Sequence, residues 1–189
     1  MRPALFLDRD GVINVDHGYV HTPETTDFVA GIFDLVATAN RRGWLVVVVT
    51  NQAGIARGYY DEQQFNTYMA WVRAQFETRG AHIDAIYFCP HHPEHGLGDY
   101  RQQCDCRKPA PGMFQAAIRD LGIDPGSSVM VGDSATDMQA ADVAGVGTLL
   151  LLGSEQVGPR STNVRRITDL AEVIDALTPA SGGRAGSVR

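Results

Sequence analysis

Acidic residues follow two apolar segments of the chain, and their spacing suggests a metal-dependent reaction. Asp8 and Asp10 come directly after ALFL, and Asp133 comes directly after VMVG. In an extended segment, residues two positions apart lie on the same face, so Asp8 and Asp10 can reach the same space. Close carboxylates repel one another unless a cation neutralises them, and oxygen ligands with room for water favour Mg²⁺. Such acids are ordinarily helix caps or loop residues, but the apolar strand before them and Gly11 after them favour a site.

A second group of reactive residues lies in the segment CPHHPEHGLGDYRQQCDCRKP, residues 89–109, which we call the Cys/His loop. Three thiolates and one imidazole would make a complete tetrahedral set for a structural Zn²⁺ with no open position. The candidate ligands are Cys89, His91, Cys104 and Cys106. His92 and His95 compete with His91 for the nitrogen position. Three cysteines is an odd number, which disfavours disulfides, and three unrelated buried thiols remain the alternative.

Composition and charge restrict the class of protein. The chain has 189 residues, 44% of them hydrophobic and 20% charged, which is typical of one globular domain with a sizeable core. The formal net charge of -6 disfavours a non-specific nucleic-acid binder, although a local basic pocket could still bind an anionic substrate. The longest apolar run is far shorter than the roughly 20 residues of a membrane span, and no secretory signal is evident. We expect a cytoplasmic monomer that binds neither membranes nor nucleic acid.

An alternation of strands and helices must position these residues. Short aliphatic runs predict buried strands at 4–8, 45–50, 85–89, 128–133 and 147–152. Helices are predicted at 31–42, 61–79, 111–121, 136–144 and 169–177, with Asp61 as an N-cap and Pro111 in a first turn. Left-handed glycines are expected after helices at Gly43, Gly80 and Gly122. The alternation predicts one doubly wound α/β domain with a parallel sheet over residues 1–177, and a disordered tail over 178–189.

Four of the five predicted strands end in polar or reactive residues. The first ends in Asp8, the second in Thr50-Asn51-Gln52, the third in Cys89 and the fourth in Asp133. Ligands of open α/β sheets bind at the carboxyl ends of the strands. The sequence therefore predicts one site at this edge of the sheet.

Four motifs resemble those of the haloacid dehalogenase-like (HAD) superfamily of phosphohydrolases, in the same order. They are FLDRDGVI, VVVTNQ, RKPAPGMF and VGDSATD, and they span about residues 5–137. The resemblance implies a HAD-like fold and a Mg²⁺-dependent phosphatase that forms an aspartyl-phosphate.

The resemblance implies a role for each matched residue. Asp8 would be the nucleophile, and Asp10 would protonate the leaving oxygen and later deprotonate water. Mg²⁺ would be held by the side chains of Asp8 and Asp133 and by the backbone carbonyl of Asp10. The implied phosphate-binding groups are Thr50, Asn51, Lys108 and the backbone amides of residues 51–52. Asp137 would position Lys108 or a metal-bound water.

The Cys/His loop resembles the zinc-loop branch of the same superfamily, whose members act on heptose bisphosphates or on histidinol phosphate. In that branch a zinc-binding loop stands where relatives carry a large cap domain. No interval between the motifs of this chain is long enough for such a cap. We therefore expect a capless domain with a structural zinc.

Two further segments favour a sugar bisphosphate as the substrate. INVDHGYVH (13–21) and TNQAGIARGYY (50–60) resemble the heptose members, which implies removal of the 7-phosphate from a heptose 1,7-bisphosphate. The implied substrate-binding residues are Asp16, His17, Gly18, Tyr19, Gln52, Ala53 and Arg107. Arg107 could grip the second phosphate through two hydrogen bonds.

Several alternatives stay open at this point. His17 and Tyr19 could serve loop packing instead, and Arg57 could be simply solvated. Ser134 departs from the heptose pattern, which often has a basic residue after the Gly-Asp of the fourth motif. A histidinol-phosphate phosphatase is the alternative enzyme, and a zinc-organised nucleic-acid-binding module is the alternative from another class.

Overall fold

The computed structural model describes residues 1–153 and 163–178, and the strands of this part form one parallel sheet. Their bounds are Ala4–Leu7 (β1), Leu45–Asn51 (β2), Ala85–Cys89 (β3), Val129–Gly132 (β4), Thr148–Leu152 (β5) and Val164–Ile167 (β6). The strand order is β3-β2-β1-β4-β5-β6, and every neighbouring pair is parallel. The chain adds strands on one side of β1 and then on the other, so a crevice forms where β1 meets β4.

Helices connect the strands and cover both faces of the sheet. Their bounds are Ile32–Arg41 (α1), Ala53–Ala56 (α2), Glu62–Glu77 (α3), Gly112–Leu121 (α4), Ala135–Val143 (α5) and Ala171–Ile174 (α6). The interval between β1 and β2 holds α1, and the interval between β2 and β3 holds α2 and α3. Neither interval holds a cap domain, as expected. None of the helices in the described residues combines the length and the apolar character needed to cross a membrane.

The alternation of side chains along the strands produces two apolar cores. Leu5 and Leu7 of β1 belong to the core that includes Phe65 of α3, whereas Phe6 belongs to the core that includes Phe114 of α4. All four residues of β1 are buried, since both faces of the sheet are covered. The sheet is therefore a doubly wound α/β fold, and its polar strand ends are left at one edge.

The five predicted strands and the five predicted helices are confirmed within a few residues. The short helix α2, which no pattern predicted, was missed, and so was β6. Its middle residues Arg165 and Arg166 are exposed, so the segment lacks the aliphatic run of a buried strand. The helix predicted at 169–177 is shorter, at Ala171–Ile174. Pro111 was predicted to lie in the first turn of its helix, but it lies at the N-cap of α4, one residue before the helix begins. The predicted tail lies outside the described residues from position 179 onward.

Local signals at the helix ends agree with the structure. Asp61 caps α3: its side chain accepts a hydrogen bond from the Gln64 amide, and the Gln64 side chain accepts one from the Asp61 amide. The three glycines expected in left-handed conformation have φ values of 78°, 70° and 61°. These glycines are Gly43, Gly80 and Gly122.

Candidate active site

A cavity of about 420 Å³ opens at the carboxyl ends of β1, β2 and β4. Its lining includes most of the residues that the sequence singled out: Asp8, Asp10, Asp16, Gly18, Tyr19, Thr50, Asn51, Gln52, Ala53, Lys108, Asp133 and Asp137. Gly54, Tyr60, Ser134 and Thr136 also line it and were not predicted as site residues. The fold thus brings all four motifs to one place, because parallel strands end at the same edge of the sheet.

Lys108 lies buried between two carboxylates. Its Nζ is 2.9 Å from Oδ1 of Asp8 and 2.5 Å from Oδ1 of Asp137, and it donates a hydrogen bond of 2.8 Å to the Val49 carbonyl. Burial by itself lowers the pKa of Lys108, but the charges of Asp8 and Asp137 outweigh it and raise the pKa. The amine is therefore held protonated beside Asp8. The contact with Lys108 is one of the two roles that the family resemblance implied for Asp137.

A carboxylate cluster at the base of the cavity has the composition of a cation site. Oxygen atoms of Asp8, Asp133 and Asp137 lie within 4.8 Å of one another. Burial raises the pKa of Asp8 to about 8, although Lys108 opposes the rise. Burial, followed by the charge of Asp137, raises the pKa of Asp133 to about 7. Burial destabilises the ionised form of these carboxylates, and a bound hard divalent cation would stabilise it.

Gly11 makes room for this cluster. Its φ is +82°, and a Cβ at this position would lie 1.9 Å from Oδ2 of Asp133. Any other residue would meet both the left-handed backbone and the carboxylate. The glycine after the first motif is thus explained by the close approach of Asp133.

Asp10 is fixed by a buried arginine that sequence reasoning missed. Nη2 of Arg9 donates to both Asp10 oxygens at 2.8 and 2.7 Å, and Nε donates to Oδ2 at 3.2 Å. Asn14 donates a further hydrogen bond of 3.1 Å to Oδ1. The only signal in the sequence was a charged residue inside an otherwise buried motif.

Polar residues after β2 tie the second and third motifs together. Asn51 donates from Nδ2 to the Lys108 carbonyl at 3.1 Å and accepts from the Lys108 amide at 3.0 Å. Gln52 donates to Oγ1 of Thr50 at 2.7 Å and accepts from the Tyr60 hydroxyl at 2.6 Å. Asn51 therefore holds the backbone of Lys108 in position, and Gln52 orients the Thr50 hydroxyl.

The Cys/His loop gathers its four predicted zinc ligands. The Sγ atom of Cys106 is 3.0 Å from that of Cys89 and 3.2 Å from that of Cys104, and it is 3.4 Å from Nδ1 of His91. All four ligand atoms lie within 4.8 Å of one another. Burial raises the pKa of Cys89, so deprotonation of this thiol calls for a bound cation. Three sulfur donors and one nitrogen donor fit Zn²⁺.

The competing histidines are oriented differently. Nδ1 of His92 accepts hydrogen bonds from the backbone amides of Glu94 and His95, at 3.1 and 3.0 Å. Neither His92 nor His95 belongs to the four-residue cluster. His91 is the histidine that the structure brings to the cysteines.

Two predicted substrate-binding residues do not line the cavity. Nε2 of the half-exposed His17 is 2.8 Å from Oδ2 of Asp27. Nη1 of Arg107 donates a hydrogen bond of 3.2 Å to the His91 carbonyl, which anchors the arginine to the Cys/His loop. Tyr19 does line the cavity, and its ring contacts that of Tyr59 edge to face at a centroid distance of 4.7 Å.

The doubly wound sheet with carboxylates and a lysine at its edge defines the class of HAD-like hydrolases. A family model described as HAD-hydrolase-like matches residues 105–177. The crystal structure of D,D-heptose 1,7-bisphosphate phosphatase from B. bronchiseptica, complexed with magnesium and phosphate, superposes with a TM-score of 0.79. It is 33% identical in sequence, and the match covers 93% of this chain and 97% of that one.

Relatives narrow the class to one family. The D-glycero-beta-D-manno-heptose-1,7-bisphosphate 7-phosphatase of Vibrio cholerae is 55% identical over 151 residues, which cover 80% of this chain and 81% of the relative. The D-glycero-alpha-D-manno-heptose-1,7-bisphosphate 7-phosphatase of Burkholderia mallei is 48% identical over 183 residues, which cover 95% and 97%. This chain belongs to the family of D-glycero-D-manno-heptose-1,7-bisphosphate 7-phosphatases.

Proposed function

We propose that this protein is a Mg²⁺-dependent phosphatase that removes the 7-phosphate from a D-glycero-D-manno-heptose 1,7-bisphosphate. The observation that carries the reaction is the contact of Lys108 with Asp8 beside the carboxylate of Asp133. The substrate follows from the relatives, whose names specify this heptose in its alpha or its beta form. The product would enter the synthesis of nucleotide-activated heptose.

Asp8 and Asp10 divide the chemistry between them. A carboxylate oxygen of Asp8 attacks phosphorus, and the bond from phosphorus to the sugar oxygen breaks while Asp10 donates a proton to that oxygen. Water then attacks the phosphorus of the aspartyl-phosphate while Asp10 accepts a proton from the water. Inorganic phosphate leaves, and Asp8 is regenerated.

Lys108 and the residues after β2 stabilise the transferring phosphoryl group. Lys108 keeps its positive charge beside Asp8 and offsets the negative charge of the transition state. Thr50 and the backbone amide of Asn51 would hold phosphoryl oxygens at the end of β2. The expected contact from the Gln52 amide is not available, because that amide donates a hydrogen bond of 2.8 Å to the Cys89 carbonyl. A Mg²⁺ held by Asp8, Asp133 and the Asp10 carbonyl would supply further positive charge.

The Cys/His loop would hold a structural zinc through Cys89, His91, Cys104 and Cys106. Cys106 stands two residues before Lys108, so a rigid loop end fixes the start of the third motif. The sugar and its second phosphate would contact Asp16, His17, Gly18, Tyr19, Gln52, Ala53 and Arg107. Arg107 carries the cation that a second phosphate requires, and it directly precedes Lys108, which lines the cavity.

We further propose that the enzyme is a monomer, that it is cytoplasmic and that it binds no nucleic acid. The net charge of -6 supports the expectation that nucleic acid is not bound. Three free thiols in one loop suit a reducing compartment.

Phosphate release tests the proposal. Purified protein with Mg²⁺ is compared on both anomers of heptose 1,7-bisphosphate, on fructose 1,6-bisphosphate and on histidinol phosphate. We expect the highest kcat/KM on one heptose anomer and loss of turnover in Asp8→Asn. A higher kcat/KM on histidinol phosphate would reverse the choice of substrate, and full activity of Asp8→Asn would sink the mechanism.

A further inference from the structure

Arg9 is not part of the cavity lining, yet every hydrogen bond that its side chain makes among the described residues goes to Asp10, through Nε and Nη2, while Nη1 is buried without a partner. The arginine side chain is 0% exposed. Its guanidinium carbon lies 5.7 Å from the ring centroid of Phe65 and 5.3 Å from that of Tyr68, both on α3. Substrate in the cavity therefore cannot reach this cation directly.

Burial of an arginine in this way needs an explanation beyond stability. Removing a guanidinium from water costs several kcal/mol, and an apolar side chain of similar volume is often as stable in such a place. What the arginine adds is a planar fork of donors whose direction is fixed by the aromatic rings around it. The fork points at Asp10.

The contacts restrict the Asp10 carboxylate to one orientation. Arg9 donates to both oxygens, and Asn14 donates to Oδ1. A carboxylate has about four acceptor positions, and these bonds, together with a longer one of 3.4 Å from Nε2 of Gln52 to Oδ2, occupy most of them. The side chain of Asp10 is still 22% exposed, and that exposed part faces the cavity that it lines.

We infer that Arg9 is a positioning residue for proton transfer, which acts on the reaction only through Asp10. The inference rests on the proposed function and adds to it a residue that touches neither substrate nor phosphoryl group. The fork holds Asp10 so that its proton passes to the leaving oxygen while the bond between phosphorus and that oxygen breaks. Without the fork the carboxylate rotates, and the proton is delivered from a poorer position.

The choice of leaving group separates this role from a general structural one. An alkoxide needs a proton as it leaves, whereas a nitrophenolate is stable enough to leave without one. A misplaced proton donor therefore slows hydrolysis of alkyl phosphates much more than formation of the aspartyl-phosphate from an aryl phosphate. A loosened active site would slow both alike.

The test compares Arg9→Met with the parent protein under single-turnover conditions, on the heptose bisphosphate and on p-nitrophenyl phosphate. We expect about a 10²-fold loss of the phosphoryl-transfer rate on the sugar substrate, as for a small misplacement of a catalytic group, and less than about a 5-fold loss on the aryl substrate. Equal losses on both substrates would overturn the inference. So would the absence of any loss on the sugar substrate.

A double mutant and a matched control complete the experiment. In the Asp10→Asn background, Arg9→Met should have almost no further effect on the sugar substrate, because the residue it positions is gone. Arg79→Met is the control, since Arg79 also lies over an aromatic ring, Phe33, at 4.4 Å but has no contact with Asp10. It should leave both rates unchanged.

Arg9→Lys covers the case in which Arg9→Met does not fold. Lysine keeps the charge but has no fork, so the selective loss on the sugar substrate should remain, about 10-fold in size. Full activity of a folded Arg9→Lys would overturn the inference. If the parent protein releases no phosphate from either ester, the proposed function fails instead, which keeps the two failures distinct.

Discussion

At the scale of single residues, the site consists of charged side chains whose burial destabilises their ionised forms. Lys108 is 3% exposed and contacts two carboxylates, whereas Asp8 and Asp133 keep raised pKa values despite that lysine. Each group holds its neighbours in a defined charge state, which is typical of catalytic sites. Substitution of one member therefore changes more than its own contact.

Lys108→Met should lower kcat by about 10²–10³-fold, because it removes the ammonium group 2.9 Å from Asp8 and with it the positive charge that stabilises the transition state. Steady-state kinetics on the heptose bisphosphate measure this loss. Arg107→Met, one residue earlier, is the comparison and should chiefly raise KM. A change in KM alone for Lys108→Met would contradict its assigned role.

The stability of the metal-free protein should depend on Asp133. Its folded pKa of about 7 lies above its ordinary value of 3.8, so the stability it contributes is present below pH 3.8 and is lost as the pH rises through about 7. Without Mg²⁺, Asp133→Asn should therefore gain Tm relative to the parent at pH 8 but not at pH 4. Thermal unfolding at both values measures the difference.

Magnesium and an exposed acid provide the controls for that experiment. Mg²⁺ at pH 8 should raise the Tm of the parent and not that of Asp133→Asn. Asp142→Asn, on the exposed side of α5, should show neither effect. If the difference in Tm between Asp133→Asn and the parent did not change with pH, the raised pKa of Asp133 would be contradicted.

At the scale of elements, the site depends on tight approaches between the ends of neighbouring strands. The turn after β1 passes so close to the end of β4 that only glycine fits at position 11. The Cys/His loop starts at the end of β3, and its last two residues are Lys108 and Pro109. Two short segments thus bring the motifs into contact, and both can be tested by single substitutions.

Gly11→Ala should lower the affinity for Mg²⁺ at least 10-fold, because its Cβ would displace the Asp133 carboxylate. Gly18→Ala is a matched control, since its φ is +80° but its Cβ would meet nothing within 4 Å. Both variants should lose about 1 kcal/mol to backbone strain, and only Gly11→Ala should lose Mg²⁺, measured by calorimetry. Equal affinities would mean that Asp133 does not hold the ion.

Removal of zinc should loosen the Cys/His loop rather than abolish the nucleophile. We expect about one zinc per chain by metal analysis, and its loss in Cys106→Ser should lower Tm and slow turnover through Lys108. His92→Ala should retain the zinc, because that ring is bonded to backbone amides. A zinc-free protein with full stability and activity would refute the structural role.

At the scale of the whole molecule, stability and chemistry reside in different places. The two apolar cores lie on the faces of the sheet, and the site lies along one edge. The segment after β6 adds Leu170, Val173 and Leu177 to the core around α1, far along the chain from the motifs. The apolar cores stabilise the fold, and this offsets the destabilising burial of charged side chains at the edge of the sheet.

Leu177→Ala should lower the free energy of unfolding by about 2–5 kcal/mol, as expected for a fully buried leucine, and leave kcat unchanged. Urea denaturation and steady-state kinetics measure the two quantities. Val143→Ala, at a position 67% exposed, should change the free energy of unfolding by less than about 0.5 kcal/mol. A large loss of kcat in Leu177→Ala would mean that the core and the site are coupled.

The sequence by itself determined the parallel sheet, because near-continuous aliphatic runs such as LVVVVT admit few other environments. It also determined that Asp8, Thr50 and Asp133 share one edge, since parallel strands end together. Only the tertiary structure decided that Arg9 pairs with Asp10, that His91 rather than His92 meets the cysteines, and that His17 and Arg107 stand outside the cavity lining. Periodicity reports which face of an element is buried, whereas the partner of a polar side chain depends on packing between segments distant in sequence.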